Sequence, residues 1–193
     1  PKINSLGSIG WEKEVKKTRK AVALVAEDLL KIYSKKENPR PFSFSKENDL
    51  DNMLKNSFPF VETKDQEKAI KDVYKDMNKK TPMDRLICGD VGFGKTEVAL
   101  RAIFKCSLSN KQSLFLCPTT VLADQHYISC KNRLSSLGVR VALLSRFKTK
   151  VEQTQIIESL NNGFVDVVVA THRALSEDIS FFDLGLLVID EEH

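Results

Sequence analysis

One segment, residues 89–96, restricts the possible folds of this chain more than any other. Its sequence, GDVGFGKT, matches the phosphate-loop pattern G-x-x-x-x-G-K-[ST] and lies between an apolar run, Arg85 to Cys88, and a helical pattern. Glycines let backbone N–H groups turn toward a phosphate without obstruction by Cβ atoms, and a helix N-terminus adds positive potential. The segment therefore predicts a phosphate site where a strand meets a helix.

Within this loop the two polar side chains have separate predicted roles. Lys95 should reach the β- and γ-phosphates of a nucleotide, and the Thr96 hydroxyl should bind Mg²⁺. We therefore expect ATP with Mg²⁺ as the cofactor. The predicted nucleotide-binding residues of the loop are Gly89, Asp90, Val91, Gly92, Phe93, Gly94, Lys95, Thr96 and Glu97.

A second informative segment, which is acidic, lies at the end of the sequence. The apolar run Leu186 to Ile189 predicts a buried strand that carries Asp190 and Glu191 at its carboxyl end, the edge where open α/β sheets bind ligands. Asp190 should hold Mg²⁺ through its water shell, and Glu191 should orient or deprotonate the attacking water. An acidic strand end alone is usually a turn, but beside a phosphate loop it indicates an NTPase. The predicted catalytic residues are Lys95, Asp190 and Glu191.

Apolar runs and helical patterns alternate along the rest of the chain, which predicts a parallel α/β sheet flanked by helices. The predicted strands are Arg85 to Cys88, Ser113 to Cys117, Val139 to Leu144, Val165 to Ala170 and Leu186 to Ile189. The predicted helices are Asp65 to Met77, Lys95 to Leu108, Thr120 to Ser135 and Lys150 to Asn161.

The N-terminal part has a different pattern. Residues 1–10 indicate a linker, and from Trp11 to Tyr33 apolar residues recur every three or four positions, which predicts one long amphipathic helix. We therefore divide the chain into 1–44, linker and helix, and 45–193, the nucleotide-binding domain. Since the chain begins without Met and ends within the acidic motif, we expect it to be part of a longer protein.

Composition mainly excludes function classes. The hydrophobic share of 41% and the charged share of 29% are those of a globular protein, and a net charge of +4 is too small to indicate nucleic-acid binding by itself. The four cysteines have no C-x-x-C spacing, which favours reduced thiols. Without a long apolar run, we expect a cytoplasmic protein and no membrane partner.

The acidic motif Asp190-Glu191-Glu192-His193 beside the phosphate loop resembles the superfamily 2 DExH helicases and translocases. The residues 82–99, Pro118-Thr119-Thr120 and Leu122-Ala123-Asp124-Gln125-His126-Tyr127 are similar to the bacterial transcription-repair coupling factor (Mfd) family. The related RecG family shares many of these residues, but usually has Ser at Phe93 and Glu at Thr120. Asp124 and Ala170 depart from the coupling-factor pattern at positions outside the expected chemistry.

The resemblance implies a RecA-like P-loop NTPase lobe, with the long helix as a relay to a polymerase-binding domain. It also implies adenine contacts from Phe58, Thr63 and Gln66. Segments after three strands should contact DNA phosphates, as such residues do in the superfamily. The implied nucleic-acid-binding residues are Thr119, Thr120, Arg146, Thr171, His172 and Arg173.

By the same resemblance, the whole protein would move along double-stranded DNA, displace stalled RNA polymerase and recruit excision-repair proteins through domains outside this chain. A second RecA-like lobe would complete its ATP site. Two alternatives remain: the corresponding lobe of a RecG-like fork-remodelling helicase, and a P-loop interaction module without motor activity. A GTPase is disfavoured because the chain lacks an NKxD segment, and a small-molecule kinase because the tandem acidic motif suits water activation.

Overall fold

The computed structural model describes residues 9–36, 42–44 and 49–191, apart from the side chains of residues 9, 35 and 36. The chain forms two compact units, residues 1–42 with 80–82, and residues 43–79 with 83–193. In the first unit, helix α1 spans Ile9–Lys36, which confirms the predicted long helix. Its apolar stripe is open to solvent, with Val22 62% and Leu29 48% exposed. Of the predicted linker, residues 1–10, residues 1–8 lie outside the described residues, and Ile9 and Gly10 belong to α1 instead.

The second unit contains five further helices and four strands within the described residues. The helices are α2 (Asp49–Asn56), α3 (Lys64–Met77), α4 (Lys95–Leu108), α5 (Thr120–Leu134) and α6 (Lys150–Asn161). The strands are β1 (Gln112–Leu116), β2 (Val141–Leu144), β3 (Val167–Ala170) and β4 (Leu184–Ile189). Short 3-10 turns cover residues 135–137 and 172–175.

All four strands are parallel and lie in the order β2-β3-β1-β4. Strand β3, one of the two inner strands, is fully buried, and Val168 packs with Leu114, Leu144 and Leu160 of α6 in one core cluster. Because parallel strands point the same way, the residues that follow all four strands meet at one edge of the sheet. This carboxyl edge organises the candidate site, and the parallel α/β architecture is the predicted one.

Helix α4 packs against β1 and β4 and runs antiparallel to them. At its C-terminal end, Cys106 Sγ lies 3.5 Å from the carbonyl oxygen of Gln112, the first residue of β1. The Cβ that a side chain would add at Gly185, near the start of β4, would lie 3.1 Å from the same sulfur. The N-terminus of α4, with Lys95 and Thr96, therefore lies toward the carboxyl edge.

The prediction of a strand at Arg85 to Cys88 is wrong. This segment has no regular secondary structure, Leu86 is 71% exposed, and Cys88 is exposed rather than buried. A strand requires a neighbouring strand to satisfy its backbone groups, and none of the four strands in the described residues pairs with this segment. Arg85 is instead tied to α3 by Nε, which donates to Asp76 Oδ2 over 2.7 Å.

Helix α2 was missed because it has only eight residues, about two turns, although Leu50, Met53 and Leu54 follow a helical spacing. All four cysteines are free, as predicted for reduced thiols, and three of them are buried. Among the described residues, none of the helices is both long and apolar enough to span a membrane.

Candidate nucleotide site and nucleic-acid interface

The phosphate loop has the backbone shape that its glycines predict. Gly92 and Gly94 have φ values of +83° and +74°, a region that costs other residues about 1–2 kcal/mol. Gly94 is the N-cap of α4 and supplies no capping side chain, so the first turn of the helix keeps donor groups for a ligand. Lys95 Nζ donates to the carbonyl oxygens of Gly89 and Asp90, over 2.6 and 2.9 Å, which holds the ammonium above the loop.

Gln66 connects the start of α3 to this loop. Its Oε1 accepts from the Thr63 N–H over 2.8 Å, while Thr63 Oγ1 accepts from the Gln66 N–H, a reciprocal capping box. Its Nε2 donates to the carbonyl oxygen of Phe93 over 2.7 Å. The amide therefore holds the phosphate loop against the start of α3. Each of its two polar atoms can form one more hydrogen bond, for example to adenine.

Gly94→Ala should destabilise the protein more than an ordinary glycine substitution. The new Cβ would lie 2.5 Å from Gln66 Nε2, so the Gln66 amide would have to give up its hydrogen bond to the Phe93 carbonyl oxygen. This loss adds to the backbone strain of a non-glycine residue at positive φ. We expect a loss of about 2–3 kcal/mol in the free energy of unfolding, of which about 1–2 comes from the positive φ. Urea unfolding measures it.

Gly138→Ala is the matched control, because Gly138 has φ +84° and open space around the new Cβ. A Gln66→Ala background should remove the difference between the two alanine variants. Equal losses for Gly94→Ala and Gly138→Ala in the native background would show that Gln66 does not clamp the loop.

The predicted adenine-side aromatic, Phe58, is half-buried. Its ring meets Phe60 edge to face at 5.5 Å between centroids, and the Arg133 guanidinium lies 5.3 Å from its centroid. Arg133 also donates to Glu97 Oε2 over 2.8 Å, and Glu97 accepts from Arg101 Nε over 2.7 Å. The Glu97 carboxylate therefore binds two arginines inside the fold. These ion pairs hold α4 in place, so they indicate a structural role for Glu97 rather than a nucleotide contact.

The acidic end of β4 lies where the sequence predicts. Asp190 N–H continues the sheet by donating to the Leu116 carbonyl oxygen over 2.9 Å, and Glu191 follows with φ +52°, so the chain turns sharply here. Burial, and secondarily the Asp190 carboxylate, raise the pKa of the Cys117 thiol to about 12. The thiol is thus a neutral neighbour of Asp190.

The donor set suits Mg²⁺ held together with a nucleotide. In the described ranges no group of three or more His, Cys, Asp and Glu side chains could enclose a metal ion. Mg²⁺ in nucleotide sites uses one or two protein oxygens and takes its other ligands from water and phosphates. The Thr96 hydroxyl on α4 would bind the ion directly and the Asp190 carboxylate after β4 would bind it through its water shell, so these two oxygen groups at the same edge fit such a site.

The predicted nucleic-acid residues follow the other three strands. Thr119 and Thr120 come after β1, Arg146 after β2, and Thr171 to Arg173 after β3, so the strand order places them successively along the carboxyl edge, with Asp190 at its end. Thr119 also caps α5, because its Oγ1 accepts from the Leu122 N–H over 3.2 Å. The structure therefore brings these residues and the acidic motif to one edge.

The two arginines predicted to contact DNA differ in whether they already have an ion-pair partner. Arg146 is exposed, with its guanidinium 5.6 Å from the centroid of the Phe147 ring. Arg173 donates to both oxygens of Asp178, over 2.7 and 2.6 Å, and this pairing holds the pKa of the Asp178 carboxyl below its ordinary value. A DNA phosphate must therefore compete with Asp178 for the Arg173 guanidinium. Among the described contacts, Arg146 has no carboxylate partner with which a phosphate would compete.

Sequence reasoning did not assign a role to His126, which contacts Asp190 over 2.7 Å. Residues 64 positions apart in the chain carry no spacing signal. The only sign in the sequence was that His126 lies within one of the segments shared with the coupling factors, where it served to recognise the family.

Comparison with known proteins agrees with this geometry. The chain is 46% identical over 192 residues to the transcription-repair-coupling factor of Bacillus subtilis (strain 168), covering 100% of this chain and 16% of that protein. It is 47% identical over 191 residues to the Haemophilus influenzae transcription-repair-coupling factor, covering 99% and 17%. These matches confirm the resemblance inferred from the motifs, and this chain spans a small part of these relatives.

Solved structures support the fold. The structure of RecG bound to a three-way DNA junction is 39% identical, with a TM-score of 0.77, over 84% of this chain and 22% of that one. A hypothetical ATP-dependent RNA helicase from Sulfolobus tokodaii, 20% identical with a TM-score of 0.58, covers 75% of this chain and 41% of its own and supports the fold alone.

A family model decides the assignment. The DEAD/DEAH box helicase model matches residues 63–193, most of the second unit, including the phosphate loop and the acidic motif. With its nucleotide-binding loop at the carboxyl edge of a RecA-like parallel sheet, this chain belongs to the DEAD/DEAH box helicase family and contains an ATP-dependent helicase-type motor lobe.

Proposed function

We propose that residues 45–193 form the ATP-binding lobe of a motor that moves along double-stranded DNA. The observation that carries the proposal is the carboxyl edge of the sheet, which has the phosphate loop and Asp190 at one end and candidate DNA-phosphate ligands along the rest. ATP binding and DNA contact in one rigid lobe are what a translocating ATPase needs. Titration of the protein with ATP and GTP, followed by thermal unfolding, tests nucleotide choice, and only ATP should stabilise it.

Each site residue has a chemical role in this proposal. Lys95 binds the β- and γ-phosphates, Thr96 and Asp190 hold Mg²⁺, and Glu191 orients the attacking water. Phe58, Thr63 and Gln66 form the adenine side. When bound, Mg²⁺ supplies positive charge to the phosphate oxygens.

The DNA surface is proposed to bind phosphates rather than bases. Thr119, Thr120, Thr171 and His172 offer hydroxyl, amide and imidazole groups, which position a strand without reading its sequence. Arg146 and Arg173 add the positive charge, which makes binding depend on salt.

Arg146→Ala and Arg173→Ala should each weaken binding of duplex DNA about three- to tenfold and lower the log–log salt slope by roughly 1, because each removes one phosphate contact. Fluorescence anisotropy with duplexes of unrelated sequence measures both quantities. The effect should not depend on the duplex sequence, and Arg146→Ala should have the larger effect because Arg173 is already paired with Asp178.

Arg140→Ala is the control. Arg140 is similarly exposed and ion-paired, with Asp166 as its partner, but it precedes β2 and so lies at the opposite edge of the sheet. If Arg140→Ala lowers affinity as much as the other two variants, the DNA surface is not at the carboxyl edge.

For the longer protein, we propose that this lobe powers displacement of stalled RNA polymerase in the cytoplasm and thereby couples transcription to excision repair. The support is the 46–47% identity to transcription-repair-coupling factors along the whole chain. We assign α1, whose apolar stripe is exposed, as the relay helix toward a polymerase-binding domain. A second RecA-like lobe would complete the ATP site.

A RecG-like fork-remodelling lobe is the second candidate, favoured by the 39% identity to the RecG structure. The full-length protein should release RNA polymerase from a stalled complex in the presence of ATP, and its Lys95→Ala variant should not. Regression of a model fork without release of polymerase would favour the RecG-like function. Release that does not need ATP would favour an interaction module.

A further inference from the structure

Helix α5 contacts Asp190, the residue proposed to hold the metal ion, through His126. His126 Nε2 lies 2.7 Å from Asp190 Oδ2. An ionised carboxylate only accepts hydrogen bonds, so the ring nitrogen at this position donates. The pair is largely shielded from water, with side-chain exposures of 12% for His126 and 27% for Asp190, which strengthens the bond. The second carboxylate oxygen remains for a metal ion or its water.

Strand β1 fixes both partners of this contact. The His126 ring packs against the Phe115 ring, with centroids 4.5 Å apart and planes tilted by 31°. The Asp190 backbone N–H is bonded to the Leu116 carbonyl oxygen. Because the ring and the backbone are both held, rotation of the carboxylate is the main freedom left to Asp190, and the hydrogen bond from His126 restricts it.

Helix α5 connects this contact to the candidate DNA surface. It begins at Thr120, with Thr119 as its N-cap, and His126 lies about 10 Å further along the helix axis at 1.5 Å per residue. The helix continues without a break from Thr120 to Leu134, so His126 and the capped N-terminus belong to one element. A phosphate bound at Thr119 and Thr120 would therefore shift or fix the ring that orients the metal carboxylate.

We propose that His126 is a positioning residue that orients Asp190 for the Mg-nucleotide and links this orientation to phosphate contact at the start of α5. The inference rests on the proposed function, because it assumes that Asp190 holds the metal and that Thr119 and Thr120 contact DNA. It requires only a hydrogen bond, and no proton is transferred.

The test measures the affinity of residues 1–193 for fluorescent ADP with Mg²⁺, with EDTA, and with Mg²⁺ plus duplex DNA. The ratio of the EDTA and Mg²⁺ dissociation constants gives the metal contribution. His126→Leu fills the space beside Phe115 without donating, and should reduce that ratio about 10-fold or more, as loss of a hydrogen bond to a metal ligand does elsewhere. His126→Gln retains a donor at a similar reach and should restore most of the ratio.

The linkage to DNA is read from the same titrations. In the wild type, duplex DNA should change the Mg-ADP affinity about fivefold or more, a usual size for coupled sites. His126→Leu should reduce this factor to near 1. Gln125→Ala, an exposed change on the same turn of α5, should retain both the metal contribution and the coupling.

The outcomes separate the two proposals. If the wild type fails to bind Mg-ADP, the proposed function is wrong and this inference falls with it. If the wild type binds and the metal ratio of His126→Leu equals that of Gln125→Ala, or if DNA has no effect on wild-type affinity, this inference alone is overturned. Equal weakening of EDTA and Mg²⁺ binding in His126→Leu would show a purely structural histidine and would also overturn it.

Discussion

Lys95→Ala should abolish measurable binding of Mg-ATP and Mg-ADP. The ammonium of Lys95 is held over the loop by the carbonyl oxygens of Gly89 and Asp90, and Lys95 directly follows Gly94, one of the two positive-φ glycines that shape the loop. Hydrogen bonds to a charged group contribute about 1.5–3 kcal/mol each, so losing the contacts to the β- and γ-phosphates lowers the affinity for ATP by roughly 10²- to 10⁴-fold.

Isothermal titration calorimetry measures this effect. The fold should survive, because Lys95 is at the start of α4 and its described partners are two exposed loop carbonyls. Thermal unfolding of the free protein checks that point. Lys148→Ala is the control, because it removes an equal charge from the loop after β2. Strand β2 is at the opposite end of the strand order from β4, so this change should leave nucleotide affinity unchanged. Equal affinity of wild type and Lys95→Ala would remove the phosphate assignment.

The second large effect concerns turnover. Residues 1–193 alone should hydrolyse ATP about 10³- to 10⁵-fold more slowly than the full-length protein, the contribution of an arginine that neutralises charge on the transferred phosphate in other P-loop enzymes. We expect slow turnover because none of the six arginines in residues 49–191 is placed to neutralise this charge. Five of these six are bound to carboxylates, namely Arg85, Arg101, Arg133, Arg140 and Arg173.

Arg146 is the sixth, and it follows β2, three strands from β4. At about 4.8 Å per strand, this is roughly 14 Å along the sheet from the acidic motif, too far for a phosphate held between Thr96 and Asp190. Phosphate release with and without duplex DNA measures turnover. If residues 1–193 alone match the full-length rate and respond to DNA, this lobe provides its own arginine and the requirement for a second lobe is wrong.

The elements with strong local signals could be predicted from the sequence. Helices α4 and α6 have the predicted bounds, Lys95 to Leu108 and Lys150 to Asn161, because a phosphate loop starts one and a Thr149–Glu152 capping box starts the other. The bounds of the four strands of the sheet were predicted to within two residues. The segment Arg85 to Cys88 failed because apolar character alone does not supply a hydrogen-bonding neighbour.

Contacts between distant segments could not be read from the chain. Glu97 was assigned to the nucleotide from its place in the loop, yet its carboxylate binds Arg101 and Arg133. Gln66 was predicted to face adenine, and the structure adds its bond to Phe93. These pairings depend on how α3, α4 and α5 pack, which residue spacing does not encode. The motif residues themselves were identifiable because their chemistry requires local spacing.

A crystal structure with Mg-ADP would show directly whether the carboxyl edge of the sheet is the ATP site. The β-phosphate should lie on the backbone N–H groups of residues 92–96, with Lys95 Nζ transferred from the carbonyl oxygens of Gly89 and Asp90 to the phosphate. Mg²⁺ should contact Thr96 Oγ1, with Asp190 in its water shell. Nucleotide bound elsewhere, or Lys95 unmoved and Asp190 more than about 10 Å from the metal ion, would contradict the assignment of this edge as the ATP site.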